Sequence, residues 1–203
     1  MDLFGFEPPP PKPRRPPVPR EGNYRLFFAL FPDEHATGKM LELGAGFKNR
    51  HRLSGKLHLE TRLHLTLDHL GDFENKPLDI LEAASFAAGK LAAECNSFAV
   101  SLDQVASFGR GKESHPLVLK ESAAGNPELA DFRGRLWDAL AAAKLPGAPR
   151  ASFTPHVTLL YDARTVAAQA VDAIAWQAQE LVLIHSLMKQ TQYEVLGRWA
   201  LQS

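Results

Sequence analysis

The chain has a single cysteine, Cys95, no long apolar run and no net charge, and each absence removes a class of protein. One thiol permits neither an intramolecular disulfide nor a cysteine-cluster metal site, which fits a reducing compartment. No apolar run approaches the roughly 20 residues needed to cross a bilayer. The N-terminal stretch "MDLFGFEPPPPKPRRPPVPREG" starts acidic and its apolar patch is too short for a secretory signal. Twenty-three basic residues balance 23 acidic ones, so no bulk positive charge advertises sequence-independent duplex binding. There is no HExxH motif, no carboxylate–histidine ligand set and no Walker-type glycine loop. The expectation is a monomeric cytoplasmic protein without a membrane partner, metal or cofactor. Its 203 residues suffice for one good-sized domain or two small fused lobes.

What is present begins with proline. Residues 1–22 hold 8 of the 15 prolines together with Lys12, Arg14, Arg15 and Arg20. Such a segment lacks backbone donors and apolar bulk, so a mostly extended, disordered tail is expected. It could serve as a solubilising or docking tail, offer PxxP spacing to an unknown partner, or touch RNA phosphates. Residues 23–203 are expected to form the single folded domain. There, "YRLFFALF" reads as a buried strand closed by Pro32, and a helix follows to about Lys48. "LHLTLDHL" is a strand, 77–94 a helix with Pro77 in its first turn, and "SFAVSLDQVASFG" a half-buried strand. "HPLVLKES" is a strand, 127–144 a helix, and "FTPHVTLLYD" a strand. "QELVLIHSLM" and "YEVLGRWAL" close the chain as a hairpin.

The order of these elements contains an echo. Strand, helix, loop and "HLTL" span Leu26 to Leu67; strand, helix, proline-rich loop and "HVTL" span Leu117 to Leu159. Leu26 precedes His64 by 38 residues and Leu117 precedes His156 by 39. Two similar lobes related by a pseudo-twofold axis are expected, with equivalent residues facing each other across a groove. Composition alone would place about 0.3 H-x-T triplets in this chain. Two of them, at equivalent points of two matching halves, outweigh that chance.

The strand period explains the spacing. Side chains at i and i+2 share a face, so His64 and Thr66 point one way while Leu65 and Leu67 point into the core. His156 and Thr158 oppose Val157 and Leu159 in the same way. Imidazole has an ordinary pKa of about 6.5, so one ring can act as a base and its partner as an acid. Threonine hydroxyls can donate to oxygens that gain charge in a transition state. Such a pair suits in-line displacement at a phosphodiester and needs no metal. The competing account is two core histidines, each bonded to a carbonyl, but burying the same costly polar pair twice is hard to rationalise. His58 is expected in a loop. His69, five residues after His64, should point to the opposite face of a regular strand.

"RLHLTLDHLG", "FTPHVTLLYD" and the opening "RLFFALFPDE" resemble the two-histidine (2H) phosphoesterase superfamily. Within it, the chain is similar to the RNA 2′,3′-cyclic phosphodiesterases, historically called 2′-5′ RNA ligases, over about residues 24–201. The resemblance implies an α+β fold of two pseudo-symmetric β-sheet lobes with outer helices around a central cleft. It implies opening of a 2′,3′-cyclic phosphate at an RNA 3′ end or on a small cyclic nucleotide, leaving a 2′-phosphate. His156 would then activate water, His64 would protonate the leaving ribose oxygen, and Thr66 and Thr158 would hold non-bridging oxygens. The assignment of acid and base could run either way in a pseudo-symmetric site. ATP-independent 2′-5′ ligation and a non-catalytic nucleotide-binding role are the alternatives. One departure stands out: many bacterial relatives carry a basic residue five positions after the second histidine, where this chain has Tyr161. Tyr161, and less strongly Phe28, are candidates for contacting a base.

Overall fold

A computed structural model describes residues 15, 16, 18, 22–109, 114–122, 125–147, 153–187 and 193–203. The apolar run after the tail forms β1 (Tyr24–Leu30). Pro32 ends it, and Asp33 caps the next helix by accepting from the Ala36 N–H at 2.8 Å. This helix, α1 (Glu34–Arg50), carries Glu34 in its first turn and Lys48 and Arg50 in its last, the polarity that complements a helix dipole. A one-turn 3-10 helix at Glu60–Arg62 leads into β2 (Leu65–Phe73). Then come α2 (Leu78–Ala92), β3 (Phe98–Ser107), β4 (His115–Lys120), α3 (Pro127–Ala142) and β5 (His156–Asp162). The chain closes with β6 (Gln169–Ala178), β7 (Glu180–Leu187) and β8 (Tyr193–Ala200).

Strand β6 has no counterpart in the sequence reading. "QAVDAIAWQA" is short of large apolar residues at its start, and only Ile174, Trp176 and Ala178 alternate into the core. That half-strand signal becomes a full strand because β3 offers a partner edge along nearly its whole length.

The eight strands form one antiparallel sheet in the order β6-β3-β4-β5-β2-β1-β7-β8. Its two four-stranded halves meet at β2 and β5, where Leu65 pairs with Val157. Read outward from that junction, the halves are β2-β1-β7-β8 and β5-β4-β3-β6, so the expected lobes are two halves of one continuous sheet. The helices cover one face. Leu26, Phe28 and Leu30 of β1 enter the main core beneath them, with Met40, Leu65, Leu67, Leu119, Leu136 and Val157. Each such side chain contributes about 1.5–3 kcal/mol when fully buried. The alternate residues Phe27 and Ala29 join Val182 and Ile184 in a small cluster on the opposite face.

Of the expected tail, most lies outside the described residues, but Arg15 is not solvated. Its side chain is buried, donating from Nη1 to Asp68, from Nε to the Leu145 carbonyl at 3.0 Å and from Nη2 to the Pro146 carbonyl. The Pro16 carbonyl accepts from the Gly147 N–H at 3.2 Å. A Cβ on Gly147 would overlap the Arg15 guanidinium, so glycine is what lets the segment seat at the end of α3. A buried charge needs a partner, and Asp68 recruits it from residues that composition alone assigns to solvent.

Candidate active site

The junction of the two halves is also the centre of both motifs. Leu65 and Val157 are the middle residues of His64-Leu65-Thr66 and His156-Val157-Thr158, and they pair antiparallel. That register sets His64 across from Thr158 and Thr66 across from His156. The pseudo-twofold therefore passes between the motifs, and all four side chains line one cleft of about 430 Å³ on the face away from the helices.

Each imidazole is held in the same way. The His64 Nδ1–H donates to the Arg62 carbonyl and the His156 Nδ1–H to the Thr154 carbonyl, both at 2.7 Å. Both acceptors are carbonyls, so Nδ1 carries the proton and Nε2 is left to act on a substrate. The two rings differ in their surroundings. His64 is stacked by Phe27 at 5.1 Å, edged by Tyr193 at 5.3 Å and flanked by Phe31 at 6.0 Å. His156 has an edge contact with Phe108 at 4.9 Å. Burial pushes His64 down to about 4, against the raising effect of the bond to the Arg62 carbonyl, and the positive side chain of Arg62 adds to the fall. His156 is also lowered by burial, with its bond to Thr154 opposing. In the free protein at neutral pH, His64 is therefore uncharged.

His69 lines the cleft, contrary to the strict two-residue period. The reason is a bulge. Ala29 pairs with Thr66 and Phe28 with Asp68, so Leu67 is an extra residue that reverses the alternation beyond it. In β5, Val118 pairs with Thr158 and Leu117 with Leu160, so Leu159 is the matching extra residue. Both strands thereby turn the side chain five positions after their histidine into the cleft: His69 in one half, Tyr161 in the other. Tyr161 is 51% exposed and meets His58 edge-on at 5.7 Å. His58 itself also lines the cleft, because the Leu57–Leu160 bridge and its own N–H to the Leu159 carbonyl extend the sheet there. Burial, then the charge of Arg62, lowers its pKa.

Asp162 fixes this last segment. Its carboxylate accepts from the N–H groups of Ser54 at 2.6 Å, Gly55 at 2.7 Å and Arg164 at 2.8 Å. Those donors, Arg164 and Gly55 foremost, hold the carboxyl down to about 2. A side chain at Gly55 would collide with the Tyr161 carbonyl.

Phe28 does not belong to the site. It is wholly buried in the main core, 6.2 Å from Trp199, and its neighbour Phe27 takes the place beside His64. In a run that is apolar at every position, the sequence does not say which phenylalanine faces which side. Arg25, Arg62, Ser186 and Tyr193 also line the cleft without any earlier signal. Asp72 accepts from Arg25 Nε and Nη2, both at 2.7 Å, and pairs with His69 Nε2 at 3.0 Å. The guanidinium groups lining the cleft come from β1, whose Arg25 pairs with Asp72, and from the 3-10 helix, which carries Arg62. Among the described residues, no group of three or more histidine, cysteine or acidic side chains is placed to hold a metal ion. No described helix is long and apolar enough to cross a membrane.

Two H-x-T motifs across a pseudo-twofold in one antiparallel sheet match the two-histidine phosphoesterase fold. The family model described as the 2′-5′ RNA ligase superfamily matches residues 38–188, and the chain belongs to that superfamily. Escherichia coli LigT in apo form is similar in structure, with 25% identity, a TM-score of 0.68, and coverage of 90% of this chain and 100% of that one. The Thermus thermophilus protein TT0787 has a TM-score of 0.70 at 23% identity, covering 88% of this chain and 98% of its own. LigT complexed with 3′-AMP aligns at 24% identity and a TM-score of 0.64, over 90% of this chain and 100% of that one. No curated protein is a significant sequence match.

Proposed function

We propose that the protein hydrolyses the 2′,3′-cyclic phosphate of an RNA end or a small nucleotide, leaving a 2′-phosphate. The observation that carries this reading is the pairing of two Nδ1-anchored histidines, each across from the other motif's threonine, in one cleft. Water attacks phosphorus in line with the ribose 3′-oxygen. His156 Nε2 takes the water's proton as the P–O bond forms, and His64 Nε2 gives a proton to the 3′-oxygen as its bond to phosphorus breaks. Thr66 and Thr158 donate to the non-bridging oxygens. This polarity follows the resemblance. Because burial holds His64 near 4, its proton must come with the anionic substrate, whose charge between the rings favours the imidazolium.

LigT's complex with 3′-AMP supports a nucleotide with a phosphate on its ribose as the ligand class. The superfamily's description supports a second reading. A 5′-hydroxyl in place of water would attack the same phosphorus, expel the same 3′-oxygen and form a 2′-5′ linkage without ATP.

The test is hydrolysis of a 2′,3′-cyclic nucleotide in EDTA, followed by phosphorus NMR, with a 2′-monophosphate as the expected product. A substrate with sulfur as the leaving atom removes the need for an acid. It should rescue His64→Ala and leave His156→Ala inactive. Rescue of His156→Ala alone reverses the polarity; no turnover by the intact protein refutes the reading.

A further inference from the structure

A second cavity, of about 570 Å³, adjoins the cleft, and Arg62 and Tyr193 line both. The rest of its wall includes Phe31, Leu59, Val195 and Arg198. Phe31 and Tyr193 pack on the small cluster of Phe27, Ala29, Val182 and Ile184, so their rings are rigidly backed. Leu59 at 65% exposure and Val195 at 42% are two of the five large apolar side chains most open to solvent among the described residues. Both border this one cavity.

Its charge is positive. The Arg62 guanidinium lies 4.7 Å from the centre of the Tyr193 ring and donates from Nη2 to the Tyr193 hydroxyl at 3.0 Å. On the far side, Arg198 lies 5.9 Å from the Phe31 ring centre and pairs with Glu180.

Backed aromatic rings, exposed aliphatic rims and two guanidinium groups fit a nucleobase and its phosphate, since stacking accepts any base and arginine meets phosphate oxygens with several donors. We infer that this cavity binds the nucleotide preceding the terminal one, with its base against Phe31 and Val195 and the linking phosphate at Arg62. The substrate class is then the end of an RNA strand, and a free cyclic nucleotide fills only half of the site. This rests on the reaction proposed above for its chemistry, but not for its binding.

Two measurements separate the claims. In turnover, the intact protein should prefer a dinucleotide ending in a 2′,3′-cyclic phosphate over the matching mononucleotide by about tenfold or more in kcat/KM. Val195→Glu and Arg198→Glu, both outside the catalytic cleft, should lower that ratio about tenfold through KM. In binding, a dinucleotide with a 3′-terminal phosphate should bind more tightly than the mononucleotide, and the same two variants should remove the gain. Turnover without any dinucleotide gain overturns the second subsite and leaves the cyclic phosphodiesterase reading standing. A binding gain without turnover does the reverse. A gain that both variants preserve places the second nucleotide elsewhere and overturns the assignment.

Discussion

His64, just before β2, and His156, at the start of β5, each place the Nδ1 proton on the carbonyl two residues back, yet among the described residues three aromatic rings surround one and a single ring the other. The backbone shares matching bulges at Leu67 and Leu159, although β2 carries a second one at Leu70 that β5 lacks. The surroundings differ further. Four residues after its histidine, the first half buries Asp68 and the second buries Leu160; the first half needs Arg15 to satisfy its charge. The second half has its charge at Asp162, satisfied by backbone N–H groups. Burial holds the Asp68 carboxyl above the ordinary range despite Arg15, whereas its donors hold Asp162 well below it. A duplicated motif can thus keep its geometry while each copy acquires a separate electrostatic setting.

The largest expected effect comes from breaking the shared part. His64→Ala and His156→Ala should each lower turnover of a cyclic nucleotide about 10²- to 10⁴-fold, the usual contribution of a positioned acid or base. Full activity in both variants would refute the paired mechanism.

The next effect belongs to the first half alone. Arg15→Ala removes the hydrogen-bonded partner of buried Asp68 and leaves it the charge of Arg133 nearby. Chemical denaturation should therefore show a loss of about 3 kcal/mol, and removal of residues 1–22 should match it. Asp68→Leu combined with Arg15→Met imitates Leu160 of the second half and should recover most of that loss. A wild-type stability for Arg15→Ala would mean that the tail residue is dispensable.

Asp162 sharpens the contrast. Asp162→Asn should cost about 2 kcal/mol at pH 7 by weakening acceptance from several N–H groups. A carboxyl with a folded pKa of about 2 and an ordinary value of 3.8 stabilises the fold above pH 4 and loses that contribution as pH falls through 2. The gap between wild type and variant in urea melts should close over that interval. A constant gap would assign the role to shape rather than charge.

The smallest effect is the order of titration. By NMR, the His64 ring should gain its proton near pH 4 and below His156, and inorganic phosphate should raise both. For His64 the unfolded chain binds the proton first, so stability falls as pH drops from about 6.5 towards 4. His156 titrating below His64 would overturn the link between ring enclosure and protonation.

Much of this molecule was legible in residue order. The paired H-x-T motifs, their equal distance from a preceding strand and the alternation around them identify the halves and the four central side chains, because strand periodicity is a local rule. Strand β6 escaped notice because its apolar face covers only its second half. The N-terminal segment looks solvated by composition, and the burial of Arg15 depends on Asp68, 53 residues away.

Residue order by itself pointed to the superfamily and to two histidines and two threonines that the structure brings together in one cleft. Only the tertiary structure decided that His69 faces the cleft, that Phe27 rather than Phe28 stands beside His64, and that Arg25, Arg62 and Tyr193 complete the wall. The physical reason is the same in each case. A bulge reverses a strand's faces, and an all-apolar run hides its orientation. Charges gathered from distant elements acquire a common purpose only when the sheet has brought them together.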